Sequence, residues 1–214
     1  MPGGTARPIG VLGGTFDPVH FGHLRTALEL LERLDLEQVR FVPCREPPHR
    51  PPPQVGDLRL ELVRAAIEGE PRFVTDDREL TRAGPSYTIE TLASLRAELP
   101  TRALCLLVGM DAFLGLPTWH RWTELARYAH VVVAHRPGWT PPREGPLGEL
   151  LAARGTENAT LLRDPAGGRV VVTPVTQLDI SSTQLRETLA RGADPRYLVP
   201  DRVREIMLRT SCYR

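Results

Sequence analysis

No segment of this 214-residue chain stays apolar for long enough to cross a bilayer. The best run, from Ala103 to Leu116, is short and carries Asp111 inside it. Residues 1–7 show no apolar leader, so a cytoplasmic protein in a reducing compartment is expected. Cysteine is scarce. Cys44, Cys105 and Cys212 are odd in number, lie far apart and form no C-x-x-C pair, which argues against a disulfide framework and a structural zinc site. Neither charge is in surplus: 27 basic residues face 26 acidic ones, so there is no overall basic field for non-specific nucleic-acid binding. The chain lacks a G-x-x-x-x-G-K-[ST] phosphate loop. Gly13-Gly14-Thr15 does not extend into a G-x-G-x-x-G fingerprint either, so a stored hydride-carrying dinucleotide is not expected. No repeat of solenoid period is visible.

What is present alternates between strand and helix signals. Pro8 to Leu12, Gln38 to Pro43, Arg72 to Thr75, Ala103 to Val108, Val131 to Ala134 and Val170 to Thr173 read as strands. Between them, helical spacing runs through Leu24, Ala27, Leu28, Leu31 and Leu34. Further helices are predicted from an Asp57 cap to a Gly69 stop, from Ser86 to before Pro100, and around Trp122 to Tyr128. Segments 47–53 and 137–148, rich in proline and glycine, read as loops. Continuous apolar strands alternating with helices predict an α/β fold: a doubly wound, Rossmann-like parallel sheet with helices on both faces. One domain over 1–214 is expected, with 180–214 as a small C-terminal helical extension.

The most informative stretch runs from Gly13 to Leu24. It puts Gly13, Gly14, Thr15, Phe16, His20, Gly22 and His23 between the first strand and the first helix. Free N–H groups and the positive end of the helix dipole converge at such a junction, which suits phosphate. His20 and His23, three residues apart, project near the same point, and each imidazole can donate to a phosphate oxygen. Near the other end, Ile180, Ser182 and Thr183 precede or open a helix whose hydroxyls and N–H groups suit phosphates, and Arg186 supplies a fixed positive fork. Helix capping alone accounts equally well for Ser182 and Thr183.

The first string resembles the (T/G)xFDPxHxGH signature of the nucleotidyltransferase superfamily, and Ile180 to Arg186 resembles its ISSTxxR motif. The resemblance implies direct displacement, in which a phosphate oxygen attacks the α-phosphorus of ATP and pyrophosphate leaves. His20 would then serve the α-phosphate, and His23 and Arg186 the departing phosphates. Mg²⁺ is expected as a bridge between substrate phosphates, without a protein carboxylate cluster. Further landmarks are similar to the bacterial nicotinate mononucleotide adenylyltransferase family: Pro43 to Arg50, Pro85-Ser86-Tyr87-Thr88, Gly109-Met110-Asp111, and Leu116 to Trp122. Carried over, Trp119 stacks on the nicotinate ring with Cys44, Tyr87 and Thr88 nearby, His49 and Arg50 help to hold phosphate, and Gly109 and Asp111 line the ATP ribose. Cys44 departs from the family's usual asparagine and His120 from an aromatic tyrosine. Asp111 is equally readable as a turn or cap residue, and Trp122 as core. The implied activity is AMP transfer from ATP to nicotinate mononucleotide in NAD biosynthesis. The alternatives are the same reaction on nicotinamide mononucleotide, pantetheine phosphate or another phosphate ester, or a nucleotide-binding module without turnover. No nucleic acid or membrane partner is expected, and the oligomeric state is unknown from sequence.

Overall fold

A computed structural model describes residues 6–47, 56–135, 140–176 and 178–213. Six strands form one parallel sheet: β1 (Ile9–Gly14), β2 (Gln38–Pro43), β3 (Phe73–Thr75), β4 (Leu104–Gly109), β5 (His130–His135) and β6 (Val170–Pro174). Their order in space is β3-β2-β1-β4-β5-β6. The chain therefore winds outward from β1 to one edge, returns beside β1 and winds to the other, so a crevice opens between the C-terminal ends of β1 and β4.

Side chains alternate along the strands because successive residues face opposite sides of a sheet. Val39, Phe41, Cys105, Leu107, Val132, Ala134 and Val171 pack into one cluster. Ile9, Val11, Val42, Leu104, Leu106, Val108, Val131, Val133 and Val170 pack into another. Both clusters are buried, which is why the strands read as unbroken apolar runs rather than as polar–apolar alternation.

The first cluster is covered by α1 (Phe21–Arg33), α2 (Gly56–Ile67), α7 (Ser182–Ala190) and α8 (Asp201–Thr210), and the second by α4 (Thr88–Glu98), α5 (Met110–Leu114) and α6 (Gly145–Arg154). A single turn, α3 (Arg78–Thr81), precedes α4. The C-terminal extension is no appendage: Leu185, Leu189, Val203, Ile206, Met207 and Tyr213 join the first core.

Several boundaries move from their sequence expectation. Asp57 falls in the first turn of α2 instead of capping it, while Gly69 does lie just past its end with φ +96. The helix expected at Ser86 begins at Thr88, because the Ser86 hydroxyl is engaged with the loop after β2. The stretch from Trp122 is a 3₁₀ helix, Trp122–Arg127, and α6 begins inside the segment read as a loop, with Pro146 in its first turn. The expected loop residues 48–53, including His49 and Arg50, lie outside the described residues, as do 136–139. Among the described residues, no helix is long and apolar enough to cross a membrane.

Candidate active site

At the crevice between β1 and β4, a cleft of about 480 Å³ is lined by Thr15, Asp17, His20, His23, Gly109 and Asp111, with Ile180, Ser182, Thr183 and Arg186 opposite. The histidine motif crosses from β1 into α1, with His20 at the helix N-cap. The two imidazoles lie with centroids 3.8 Å apart and their planes tilted by 33°. The His20 backbone N–H donates to His23 Nδ1 at 3.3 Å, so the neutral His23 ring carries its proton on Nε2. His20 Nδ1 is buried with no hydrogen-bond partner. A Cβ at position 22 would sit 2.9 Å from that atom, so only glycine lets the ring stand where it does.

Electrostatics hold both rings neutral in the free protein. Burial depresses His20 to about 4. Burial, then the neighbouring His20, depresses His23 to about 3. An anionic ligand beside the rings would favour imidazolium. In the free protein, desolvation dominates.

The second motif is tied to the first by direct hydrogen bonds. Arg186 donates to the Asp17 carbonyl at 2.7 Å and to Thr183 Oγ1 at 3.1 Å. Ser182 Oγ donates to the Pro18 carbonyl at 2.9 Å, and the Asp17–Pro18 peptide is cis. The N-cap of α7 is Ser181, whose Oγ accepts the Gln184 N–H at 3.2 Å while Gln184 Oε1 accepts the Ser181 N–H at 3.1 Å. This S-x-x-Q capping box leaves Ser182 and Thr183 at the head of the helix, where N–H groups lack intrahelical acceptors.

A second, smaller pocket of about 180 Å³ adjoins the cleft at Thr15, which lines both. Gly13, Gly14, Cys44, Thr88 and Trp119 line it, together with Glu79 and Ser86. Gly13 and Gly14, expected on the ATP side, are therefore placed here. Phe16 lines neither cavity. It is 2% exposed and packs edge-on against His23 at 5.2 Å. Tyr87 pairs with the His120 ring at 4.5 Å, so the unexpected histidine lies against that tyrosine. Trp119 and Trp122 both pack partly buried against the second core, but only Trp119 reaches the pocket.

Sequence reasoning missed four supports. Buried Arg59 donates to the Thr15 carbonyl at 2.7 Å, and its signal was a charge on the apolar face of α2. Tyr213 donates to Asp17 Oδ1 at 2.6 Å. Glu79, whose carboxyl burial pushes upward, accepts from Thr91 Oγ1 at 2.5 Å. Thr26 also lines the cleft.

The chain is similar to known proteins both in sequence and in fold. The family profile described as cytidylyltransferase-like matches residues 11–188. An Aeromonas hydrophila protein named "probable nicotinate-nucleotide adenylyltransferase" is 48% identical over 208 residues, 97% of each chain. A Pseudomonas fluorescens protein of the same name is 51% identical over 197 residues, 91% of this chain and 92% of that one. In three dimensions, the Plasmodium falciparum nicotinic acid mononucleotide adenylyltransferase complexed with NaAD superimposes with a TM-score of 0.72 at 15% identity, covering 97% of both chains.

Proposed function

This chain belongs to the nicotinate-nucleotide adenylyltransferase family, and we propose that its paired cavities are where AMP passes from ATP to nicotinate mononucleotide. The products are nicotinate adenine dinucleotide and pyrophosphate, and the reaction is a step of NAD biosynthesis.

The acceptor's phosphate oxygen forms a bond to the α-phosphorus as the bond to the β-phosphate oxygen breaks, and the electron pair leaves with pyrophosphate. Little covalent work falls to the protein; it aligns three atoms and stabilises the charge that develops on oxygen. His20 serves the α-phosphate. His23, Arg186 and the head of α7 receive the departing phosphates. Neutral His23 donates through Nε2, and triphosphate charge draws both rings toward protonation only once ATP is bound.

In the smaller pocket, Trp119 offers a face to the pyridine ring, and the start of α4 at Thr88 offers N–H groups to its carboxylate. The carboxylates of the larger cleft are Asp111, which is exposed, and Asp17, which is held by Tyr213. That donor set fits a hydrated Mg²⁺ carried on substrate oxygens, with Asp111 the side chain that would hold it through water. When bound, the ion neutralises triphosphate charge.

The observation that carries this reading is the meeting, in one cleft, of the close-packed His20–His23 pair and the Arg186-bearing end of α7. The test is pyrophosphate release with ATP and Mg²⁺, comparing nicotinate mononucleotide and nicotinamide mononucleotide as acceptors. Strong preference for the nicotinate form is expected. Equal use would overturn the selectivity, and no release with either would overturn the reading.

A further inference from the structure

One buried carboxylate takes part in none of the steps above. Glu29 lies in the third turn of α1, the helix that His20 caps, and is only 4% exposed. An ionised carboxylate persists in such a place only when its lone pairs are filled. Glu29 Oε1 accepts Arg25 Nε at 2.7 Å, one turn earlier in the helix, and Oε2 has Arg33 Nη2 at 3.4 Å, one turn later. Both arginines are about half exposed, and pairs of this spacing form equally well on the outer face of a helix, so they give no reason for the carboxylate to be buried. The third donor does. The backbone N–H of Thr176, 147 positions away in sequence, donates to Glu29 Oε2 at 3.0 Å.

Thr176 stands where the chain leaves the sheet for α7. The strand β6 ends at Pro174, and the Val175 N–H still donates to the His135 carbonyl of β5 at 3.0 Å; the Thr176 N–H turns instead to α1. Four residues on, Ile180 lines the larger cleft and Ser181 caps α7. A Cβ on Gly22 would lie 3.6 Å from the Ile180 carbonyl oxygen, so the chain meets α1 at Glu29 and again at its first turn. Beyond that point Ser182 and Arg186 hold the Pro18 and Asp17 carbonyls. We propose that Glu29 is a positioning residue for ATP: by accepting the Thr176 N–H it sets where the chain between β6 and α7 meets α1, and so the gap between the His20–His23 pair and the Ile180–Thr183 wall that receives the triphosphate. That the ligand is ATP rests on the functional reading above. Among the described residues, the smaller pocket takes no lining from this stretch, so the acceptor side is independent of the Glu29 bond.

Steady-state pyrophosphate release separates this role from a merely structural one. Glu29→Ala removes the acceptor for Thr176, and the KM for ATP rises on the order of tenfold while the KM for nicotinate mononucleotide stays within about twofold. Glu29→Gln keeps one oxygen for the Thr176 N–H and returns the KM for ATP to within about threefold of the parent. Arg25→Ala cuts the pair inside α1 but leaves the Thr176 bond, so both KM values stay within about twofold. A structural role alone lowers the melting temperature and the yield of active enzyme without moving either KM. An unchanged KM for ATP in Glu29→Ala, a parallel rise in both KM values, no rescue by glutamine, or an Arg25→Ala variant as impaired as Glu29→Ala would overturn the proposal. If Glu29→Ala yields no folded protein, Glu29→Leu, which fills the same space and offers no acceptor, carries the comparison by the same criteria. Wild-type enzyme assayed in parallel keeps the two readings apart: no pyrophosphate release there refutes the function, whereas turnover with unaltered variants refutes the role of Glu29. Titration calorimetry with ATP, which needs no turnover, is expected to rank the variants in the same order.

Discussion

Tyr213 gives its phenolic proton to Asp17 Oδ1 at 2.6 Å, joining residues 196 positions apart in a buried contact beneath the reactive cleft. The carbonyl of the same aspartate receives Arg186. Asp17 is thus gripped from the C-terminal side at its side chain and its main chain at once. Tyr213→Phe keeps the ring and removes only the proton donor. A hydrogen bond to a charged group contributes about 1.5–3 kcal/mol, so thermal unfolding is expected roughly 3–10 °C lower. An unchanged melting temperature in calorimetry would show that the bond contributes nothing net.

Gly22→Ala separates stability from catalysis. The added methyl meets the His20 ring at 2.9–3.0 Å and displaces it. Alanine also favours the helix over glycine by up to about 1 kcal/mol, which offsets part of that crowding. The expected variant melts within a few degrees of the parent but loses on the order of 10²-fold in kcat, since small misplacements of a reacting geometry are that costly. Full activity would mean that the position of His20 is not critical.

Trp119→Ala opens the wall of the smaller pocket without touching the phosphate cleft. The KM of the nicotinate acceptor should rise by about tenfold or more, in line with loss of an aromatic contact and its buried area. The KM of ATP should move little. A larger effect on ATP than on the acceptor in initial-rate measurements would reverse the assignment of the two cavities.

Acid should weaken the fold before its carboxylates titrate. His20 and His23 sit at about 4 and about 3 in the folded chain, against about 6.5 unfolded, and burial lowers His130 as well. Below pH 6.5 the unfolded chain binds more protons than the folded one, so the contribution of these neutral rings is complete above that pH and is lost as pH falls toward 4. The melting temperature should therefore fall between pH 7 and 5. A His20→Gln, His23→Gln double variant should show a shallower fall; an identical slope would refute the cause.

Much of the architecture was legible because β4, β5 and β6 are short runs rich in valine and leucine and buried on both faces, while β1 and β2 still carry enough apolar residues to read as strands. The active-site string was legible for a related reason, since glycines and histidines between a strand and a helix have few structural uses. The misses share a scale. α3 and α5 are four and five residues long, too short for helical periodicity to register. The start of α6 was hidden by its prolines and glycines, although Pro146 in a first turn is itself a start signal. Phe16 lies inside the histidine motif, yet its side chain turns inward beneath His23, which its place in the string does not reveal. Pairings such as Tyr213 with Asp17, or Glu79 with Thr91, join chemically ordinary residues through tertiary packing and leave no local pattern.

The bonds from Arg186 and Ser182 to the carbonyls of Asp17 and Pro18 span 169 and 164 positions of chain. During synthesis, the histidine motif emerges from the ribosome among the earliest residues, but its counterpart arrives only after every strand of the sheet has been made. The nascent chain therefore carries half a site for most of its translation, and the two halves meet only after residue 186 has been added and released from the tunnel.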